Sequence, residues 1–334
     1  MGKTAMRFVS VARRQAVASV AVAMALVAAA PAFAQSAADW PNRPVKMVVP
    51  LGAGGPADLV GRYIAQQLGE KFKQSFFIEN RPGAAGIIGT AEAAKSAPDG
   101  YTILVIASPH INLEVLSHNK PYDLMRDFAP VAVSFSTDAV MVVANKVPAK
   151  TVKEFIDLAK SQPGKLTFGS SGPGSNKHLG GELFKLMTGT DVLHVAYKGS
   201  TGARNDIVGG HIDMMFDEVP SVGPNVLSGQ VRALGVTGKH PVSMLPNVPL
   251  VSDTVPGYEH TGWFGLMVPT GTPRPIIDKL NATMRELVAR KDVVDFWAKQ
   301  ATAPLSMTPD ECAAYLREEI KKWAKVVKDA NIKL

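Results

Sequence analysis

Short apolar runs alternate with helical patterns along most of this chain. Val45–Val49, Phe76–Ile78, Thr102–Ile106, Val140–Val143, Leu166–Phe168, Leu193–Val195, Met214–Phe216, Arg232–Val236 and Phe264–Val268 read as strands. Between them Ala57–Phe72, Val152–Ser161, Leu179–Met187 and Thr201–Val208 read as helices. After Thr308, the residues Cys312, Leu316, Ile320, Trp323, Val327 and Ala330 recur every three or four positions, one buried stripe on a terminal helix. Cys312 on that stripe is a small core residue. Thr151-Val-Lys-Glu154 and Thr308-Pro-Asp-Glu311 have capping-box spacing, and Pro309 sits where its missing N–H costs nothing. The alternation predicts an α/β fold with largely parallel sheets. No fixed repeat and no long Pro- or Ser-rich linker interrupts it, so two domains would be joined by strands. Ala139–Asn145 and Trp263–Pro269 suit such crossovers. The expected division is one lobe of residues 40–140 plus 265–334 and another of 141–264.

Two strand-to-helix loops carry candidate chemistry. Leu166–Phe168 ends in Gly169-Ser-Ser-Gly-Pro-Gly-Ser175, just before a helix pattern. Backbone N–H groups, the hydroxyls of Ser170, Ser171 and Ser175, and a helix N-terminus together favour an anionic group. A second loop, Pro50-Leu-Gly-Ala-Gly54-Gly55-Pro-Ala-Asp58, follows Val45–Val49. Two such loops suggest a ligand held between two α/β units. Asp58 falls in the first helical turn, where it complements the helix dipole or orients the loop backbone or a bound water.

Composition narrows the class. The chain has 36 basic and 29 acidic residues, but four of the basic ones, Lys3, Arg7, Arg13 and Arg14, precede the apolar stretch Ala16–Ala30 and the small-x-small site Ala32-Phe-Ala34. Residues 1–34 therefore read as a cleaved signal peptide, and the mature charge of +3 is too mild to argue for nucleic acid. The expected location is periplasmic. One cysteine excludes an internal disulfide and a cysteine-based metal site.

Other loops after strands add candidates, because sites in open α/β sheets lie beyond strand C-termini. Ser108 and His110 follow the third strand; Tyr197, Lys198 and Gly199 follow Leu193–Val195; Asp217 ends Met214–Phe216. Gly52-Ala-Gly54-Gly-Pro-Ala57 superficially fits a dinucleotide fingerprint, but its acid, Glu79, comes 27 residues after Gly52, later than usual. An exported protein would not meet a cytosolic nicotinamide pool, so no cofactor is expected. No His-Glu-x-x-His, no Gly-x-Ser-x-Gly and no nucleophile–base pair is present.

Many ordered motifs resemble one family. Trp40-Pro-x-Arg-Pro-Val-Lys, Gly54-Gly55 with Asp58 and Arg62, Glu79-Asn-Arg-Pro-Gly-Ala-x-Gly86, Pro98-Asp-Gly-Tyr-Thr102, Gly169-Ser-Ser-Gly-x-Gly-Ser175-x-x-His-Leu179, Tyr197-Lys-Gly199, Gly209-Gly-x-Ile-Asp213-Met-Met-Phe-Asp217, Gly229-x-Val-Arg-Ala-Leu-Gly-Val-Thr237 and Gly271-Thr-Pro273 look like the Bug receptors. These are extracytoplasmic solute-binding proteins of the tripartite tricarboxylate transporter type. The resemblance covers nearly everything from Trp40 onwards. It implies a two-lobed periplasmic binding protein of type II (Venus-flytrap) fold, whose cleft closes on a small carboxylate without catalysis. It implies capture for uptake by a membrane transporter of the tripartite tricarboxylate type or for sensing; a monomer is expected. By the resemblance, the loops matching Gly54–Asp58 and Ser170–Ser175 hold the carboxylate, while those matching Tyr197–Gly199 and Asp217 flank its distal end, near the variable position of His110; Asn176, next to Ser175, is a further candidate. Ala196 stands where proline is usual, and Asn176-Lys177 follow Ser175, which leaves the acid unspecified. The alternative class is a periplasmic α/β enzyme acting on a small organic acid.

Overall fold

The computed structural model describes residues 39–117 and 119–332, so the expected signal segment lies outside the described residues. The first unit runs β1 (Val45–Val49), α1 (Pro56–Phe72), β2 (Phe76–Asn80), α2 (Ile87–Ala94), β3 (Thr102–Ala107), α3 (Pro109–Leu116) and the single turn α4 (Leu124–Asp127). A long strand, β4 (Phe128–Ala144), leads into α5 (Val152–Ser161), β5 (Thr167–Ser170), α6 (Asn176–Thr188) and β6 (Leu193–Ala196). Then come α7 (Ser200–Val208), β7 (Met214–Glu218), α8 (Val219–Leu227) and β8 (Val231–Val236). β9 (Thr261–Pro269) returns to the first unit, followed by α9 (Arg274–Ala289), α10 (Lys291–Ala298), β10 (Thr302–Pro304) and α11 (Pro309–Asp329).

The strands follow the order β2-β1-β3-β9-β4-β7-β5-β6, with β8 and β10 also on β4. β1 is parallel to β2 and β3, and β5 is parallel to β6 and β7. The largely parallel arrangement expected from sequence holds only inside these two groups. β4 and β9 carry the chain across in opposite directions and so pair antiparallel. The first part of β4 pairs with β9 and the second with β7 and β8. The change of partner falls between Asp138, opposite Thr261, and Ala139, opposite Glu218.

Each unit has its own apolar interior. In the second, Phe155, Phe168, Phe184 and Phe216 pack around β4, β5 and β7. In the first, α1, α9 and α10 cover one face through Val60, Ile64, Leu280 and Trp297. The other face is closed by Ile111, Cys312, Leu316 and Trp323. Burial on both faces explains why every residue of β3 is buried and why its sequence is a continuous apolar run. Cys312 is buried and its sulfur accepts from the Val133 N–H at 3.1 Å. The Thr308–Glu311 capping box forms in both directions; at Thr151, Glu154 takes the Lys150 N–H instead.

Candidate functional site

Because β1, β2 and β3 are parallel, the loops that leave them share one sheet edge, and the same holds for β5, β6 and β7. The two edges meet directly. The Asn112 amide donates to Gly174 O at 3.0 Å and to Asn176 Oδ1 at 2.7 Å, and Asn176 Nδ2 donates to Ser108 Oγ. Ser108 and Asn176 thus fasten the first unit to the start of α6.

In the first loop, Gly54 takes φ +77°, a conformation open to glycine. Gly55 is the N-cap of α1, no side chain caps the helix, and Pro56 follows at its first turn. The first amides of α1 therefore lack intrahelical partners and point outward. Asp58 is only 2% exposed. Its Oδ2 accepts from Gly54 N (2.8 Å) and Arg62 Nε (3.0 Å), and its Oδ1 from Asn80 Nδ2 (2.9 Å). Burial alone raises its pKa, but the hydrogen bonds from Arg62, Gly54 and Asn80 and the Arg62 charge outweigh it and hold the carboxyl below its ordinary range. Asp58 shapes the loop from beneath.

In the second loop most donors are already engaged. Ser170 is fully buried; its hydroxyl accepts from Gly172 N (3.1 Å) and lies 2.7 Å from His194 Nε2. Ser175 caps α6, accepting from His178 N and donating to Gly172 O at 2.7 Å. Gly174 N donates to His178 Nδ1 at 3.1 Å, which places the His178 proton on Nε2. Only Ser171, half-buried, has a hydroxyl without a hydrogen bond among the described residues. The third loop lies alongside: Tyr197 N donates to Ser170 O (3.1 Å) and Gly199 N to Ser171 O (3.2 Å). The Tyr197 hydroxyl is taken by Asp206 at 2.6 Å. Lys198 is exposed and makes no ion pair among the described residues. Gly199, at φ +104°, precedes α7, whose N-terminus carries no side-chain cap.

Two of the expected site residues are buried. Asp217 is fully buried: its carboxylate accepts from Arg204 Nε (2.8 Å) and Glu218 N (3.0 Å) and faces Lys177 Nζ at 3.4 Å. Lys177, itself buried, also pairs with Glu218. Burial pushes the Asp217 carboxyl up to about 6 against the pull of Lys177, whereas Glu218 overcomes its burial through Lys177 and is held at about 2. His110 is also shut off from solvent, with Nδ1 against the Ala107 backbone and Nε2 without a partner among the described residues. Sequence reasoning missed Lys177, Arg204, Glu218 and Asn112. Two consecutive acids closing an apolar strand were the available signal, because a buried carboxylate requires a partner.

Beneath the second loop His178 and His194 stack at 3.9 Å, with Phe168 4.8 Å from His194. Burial lowers His110, His178 and His194 to about 4 and His260 to about 3, with Lys185 adding at His178 and His194. The folded state therefore binds fewer protons than the unfolded state between the ordinary histidine value of about 6.5 and these values. The histidine contribution to stability is full above about pH 6.5 and is lost as pH falls toward 4. We expect the melting temperature to drop by at least ~5 °C between pH 7 and pH 5, since a loss of 1 kcal/mol moves it by roughly 2–4 °C in a chain of this order of size. A flat profile over that range would contradict three buried and one half-buried neutral imidazoles.

Two α/β units joined by crossing strands, with polar loops from both in hydrogen-bond contact, give the fold of a two-lobed periplasmic solute-binding protein. The chain matches the family described as tripartite tricarboxylate transporter family receptor (TctC) over residues 60–332, and it belongs to that family. It is similar to BugT of Bordetella pertussis, 34% identical over 303 residues that cover 90% of this chain and 93% of BugT. Among solved structures it is similar to Rpa4515 of R. palustris with adipate (34% identity, TM-score 0.76, 88% of this chain and 99% of that one). It is also similar to MatC of Rhodopseudomonas palustris with bound malate (29% identity, TM-score 0.71, 86% and 100%). The family is one of receptors rather than enzymes. No helix among the described residues is long and apolar enough to cross a membrane.

Proposed function

We propose that this chain is a periplasmic receptor that captures a small organic acid in the cleft and presents it to a tripartite tricarboxylate-type transporter. The observation that carries the ligand class is the set of unspent donors at the two meeting edges: the uncapped first turns of α1 and α7, the Ser171 hydroxyl and the unpaired Lys198. Neutral donors around a charged acceptor are strong in a closed, partly dry cleft. One carboxylate rests on the amides and Ser171, and Lys198 receives a second acidic group. The acid is a di- or tricarboxylate, an aromatic acid or an acidic amino acid; the adipate and malate seen in the R. palustris relatives support the first of these. The lobes are residues 40–140 plus 265–334 and 141–264, turning about β4 and β9, and cleavage after Ala34 releases the mature chain. The remaining residues proposed from sequence act from behind: Gly54, Gly55 and Gly199 let the backbone approach the ligand, while Asp58, Ser108, His110, Ser170, Ser175, Asn176, Tyr197 and Asp217 hold the walls.

A thermal-shift screen of carboxylates against their amides and esters tests the reading, because a ligand stabilises the fold by mass action. Acids should raise the melting temperature and their neutral analogues should not; equal shifts would sink the carboxylate anchor. Ser171→Ala should cost roughly 1–3 kcal/mol of affinity. Lys198→Met should weaken dicarboxylates more than monocarboxylates.

A further inference from the structure

A cavity lies at the place where the chain crosses between lobes. It is a half-open groove of about 550 Å³ whose lining includes Asp138 and Thr261. Those two residues are the last β4–β9 pair before β4 changes sheets at Ala139. Val242 and His240, which follow β8, form one wall; Val294, Leu305 and Met307, from the segments around α10 and β10, form the other. The groove is therefore bounded by both lobes and by both crossing strands.

Its polar content is unbalanced. Glu259 on the rim is paired with Lys239 at 3.1 Å. Asp138 accepts no hydrogen bond and has no cation within 4.0 Å among the described residues, and its carboxylate lies against the backbone of Gly238, where a β-carbon would stand 2.2 Å from Oδ1. Burial pushes its carboxyl up to about 6, with His240 opposing and Glu259 adding to the rise. A half-buried carboxylate with no hydrogen-bond or ion-pair partner among the described residues, in the lining of a largely apolar groove, is matched by a cation with an apolar body.

We propose that this groove is a second binding site, for a small organic amine whose ammonium pairs with Asp138 and whose apolar part lies between Val242 and Leu305, and that its occupancy biases opening and closing of the lobes. The walls move relative to each other when the lobes turn about β4 and β9. A molecule touching both has different affinity for the open and closed states, which is the only way a ligand shifts such an equilibrium.

The test uses the mature protein with benzylamine as the probe at pH 8, where Asp138 is ionised, and needs no cleft ligand, so it fails or succeeds independently of the carboxylate reading. Isothermal titration should give saturable binding of benzylamine, at least tenfold weaker binding of benzyl alcohol, and at least a tenfold loss in Asp138→Asn. Binding unchanged in Asp138→Asn, alcohol binding equal to that of the amine, or no saturable amine binding would each overturn the site. The alcohol comparison stands on unaltered protein, should the variant fold poorly. Small-angle scattering with saturating benzylamine should show a changed radius of gyration; an identical profile would overturn the link to closure.

Discussion

Replacing Lys177 by methionine should destabilise the protein by about 3–5 kcal/mol, the range for removing one member of a buried ion pair. Methionine keeps most of the apolar stem, so the loss comes from the ammonium. In the folded chain that ammonium faces Asp217 at 3.4 Å and pairs with Glu218, and both Lys177 and Asp217 are buried. Arg204 would still pair with Asp217, but Glu218 would lose its cation. The pH dependence separates charge from packing. In the native chain Glu218 sits at about 2, below its ordinary 4.5, so its contribution is present above about pH 4.5 and lost as pH falls through 2. In the variant both acids lose the ammonium and titrate above their unfolded values, so this pair takes up protons and contributes more stability as pH falls from 7 toward 5, offsetting part of what the histidines lose. The deficit relative to the native chain should be largest near pH 7–8 and shrink on acidification. Denaturant unfolding at pH 8, 7, 6 and 5 checks this; a deficit under 1 kcal/mol, or one independent of pH, would mean that the cluster does not hold α6 to the end of β7.

The order of elements was legible because each parallel strand is a short apolar run and each helix keeps its stripe at three to four residues. The first half of β4 was not. Phe128–Asp138 mixes Pro130, Ser134 and Ser136 with apolar residues, and its pairing with β9 shifts register between Pro130 and Ala132 and again between Val133 and Phe135. Each irregularity resets which side chains face inward, so no period of two survives for a pattern search. β10, three residues long, leaves no pattern at all.

At the site, the positions of the loops were legible and the duties of their side chains were not. Glycine and serine after an apolar run mark a strand-to-helix loop whatever the partners. Whether a hydroxyl or carboxylate is free depends on residues far away in the chain. Ser170 meets His194 across 24 positions, Asn176 meets Ser108 across 68, and Lys177 meets Glu218 across 41. These partners occupy several groups that sequence spacing offered to a ligand, and among the described residues they leave Ser171, which is equivalent to its neighbours by composition, as the one serine hydroxyl of that loop without a hydrogen bond. A cleft built from glycine amides needs such fasteners, because flexible loops would otherwise lose entropy on closing around the acid.

Asp58 tests that view of the fasteners. Asp58→Ala removes the acceptor for Gly54 N, Asn80 Nδ2 and Arg62 Nε. The Arg62 side chain is 54% exposed, so that ion pair contributes little and water replaces it. Gly54 N and Asn80 Nδ2 are only partly buried and recover part of what they lose, giving an expected cost of about 2–3 kcal/mol in stability. Binding should suffer separately. With Gly54 untethered, the Gly52–Gly55 turn no longer holds its glycine amides over the start of α1, and affinity for the acid that performs best in the thermal-shift screen should fall at least tenfold. Because the folded pKa of Asp58 lies below its ordinary 3.8, its contribution is present above about pH 4 and lost as pH falls further, so native and variant chains should converge in stability only in strong acid. Titration calorimetry on Asp58→Ala at a temperature where it remains folded checks the binding half. Full affinity in a destabilised variant would reduce Asp58 to a helix-start acid and show that the loop keeps its shape without it.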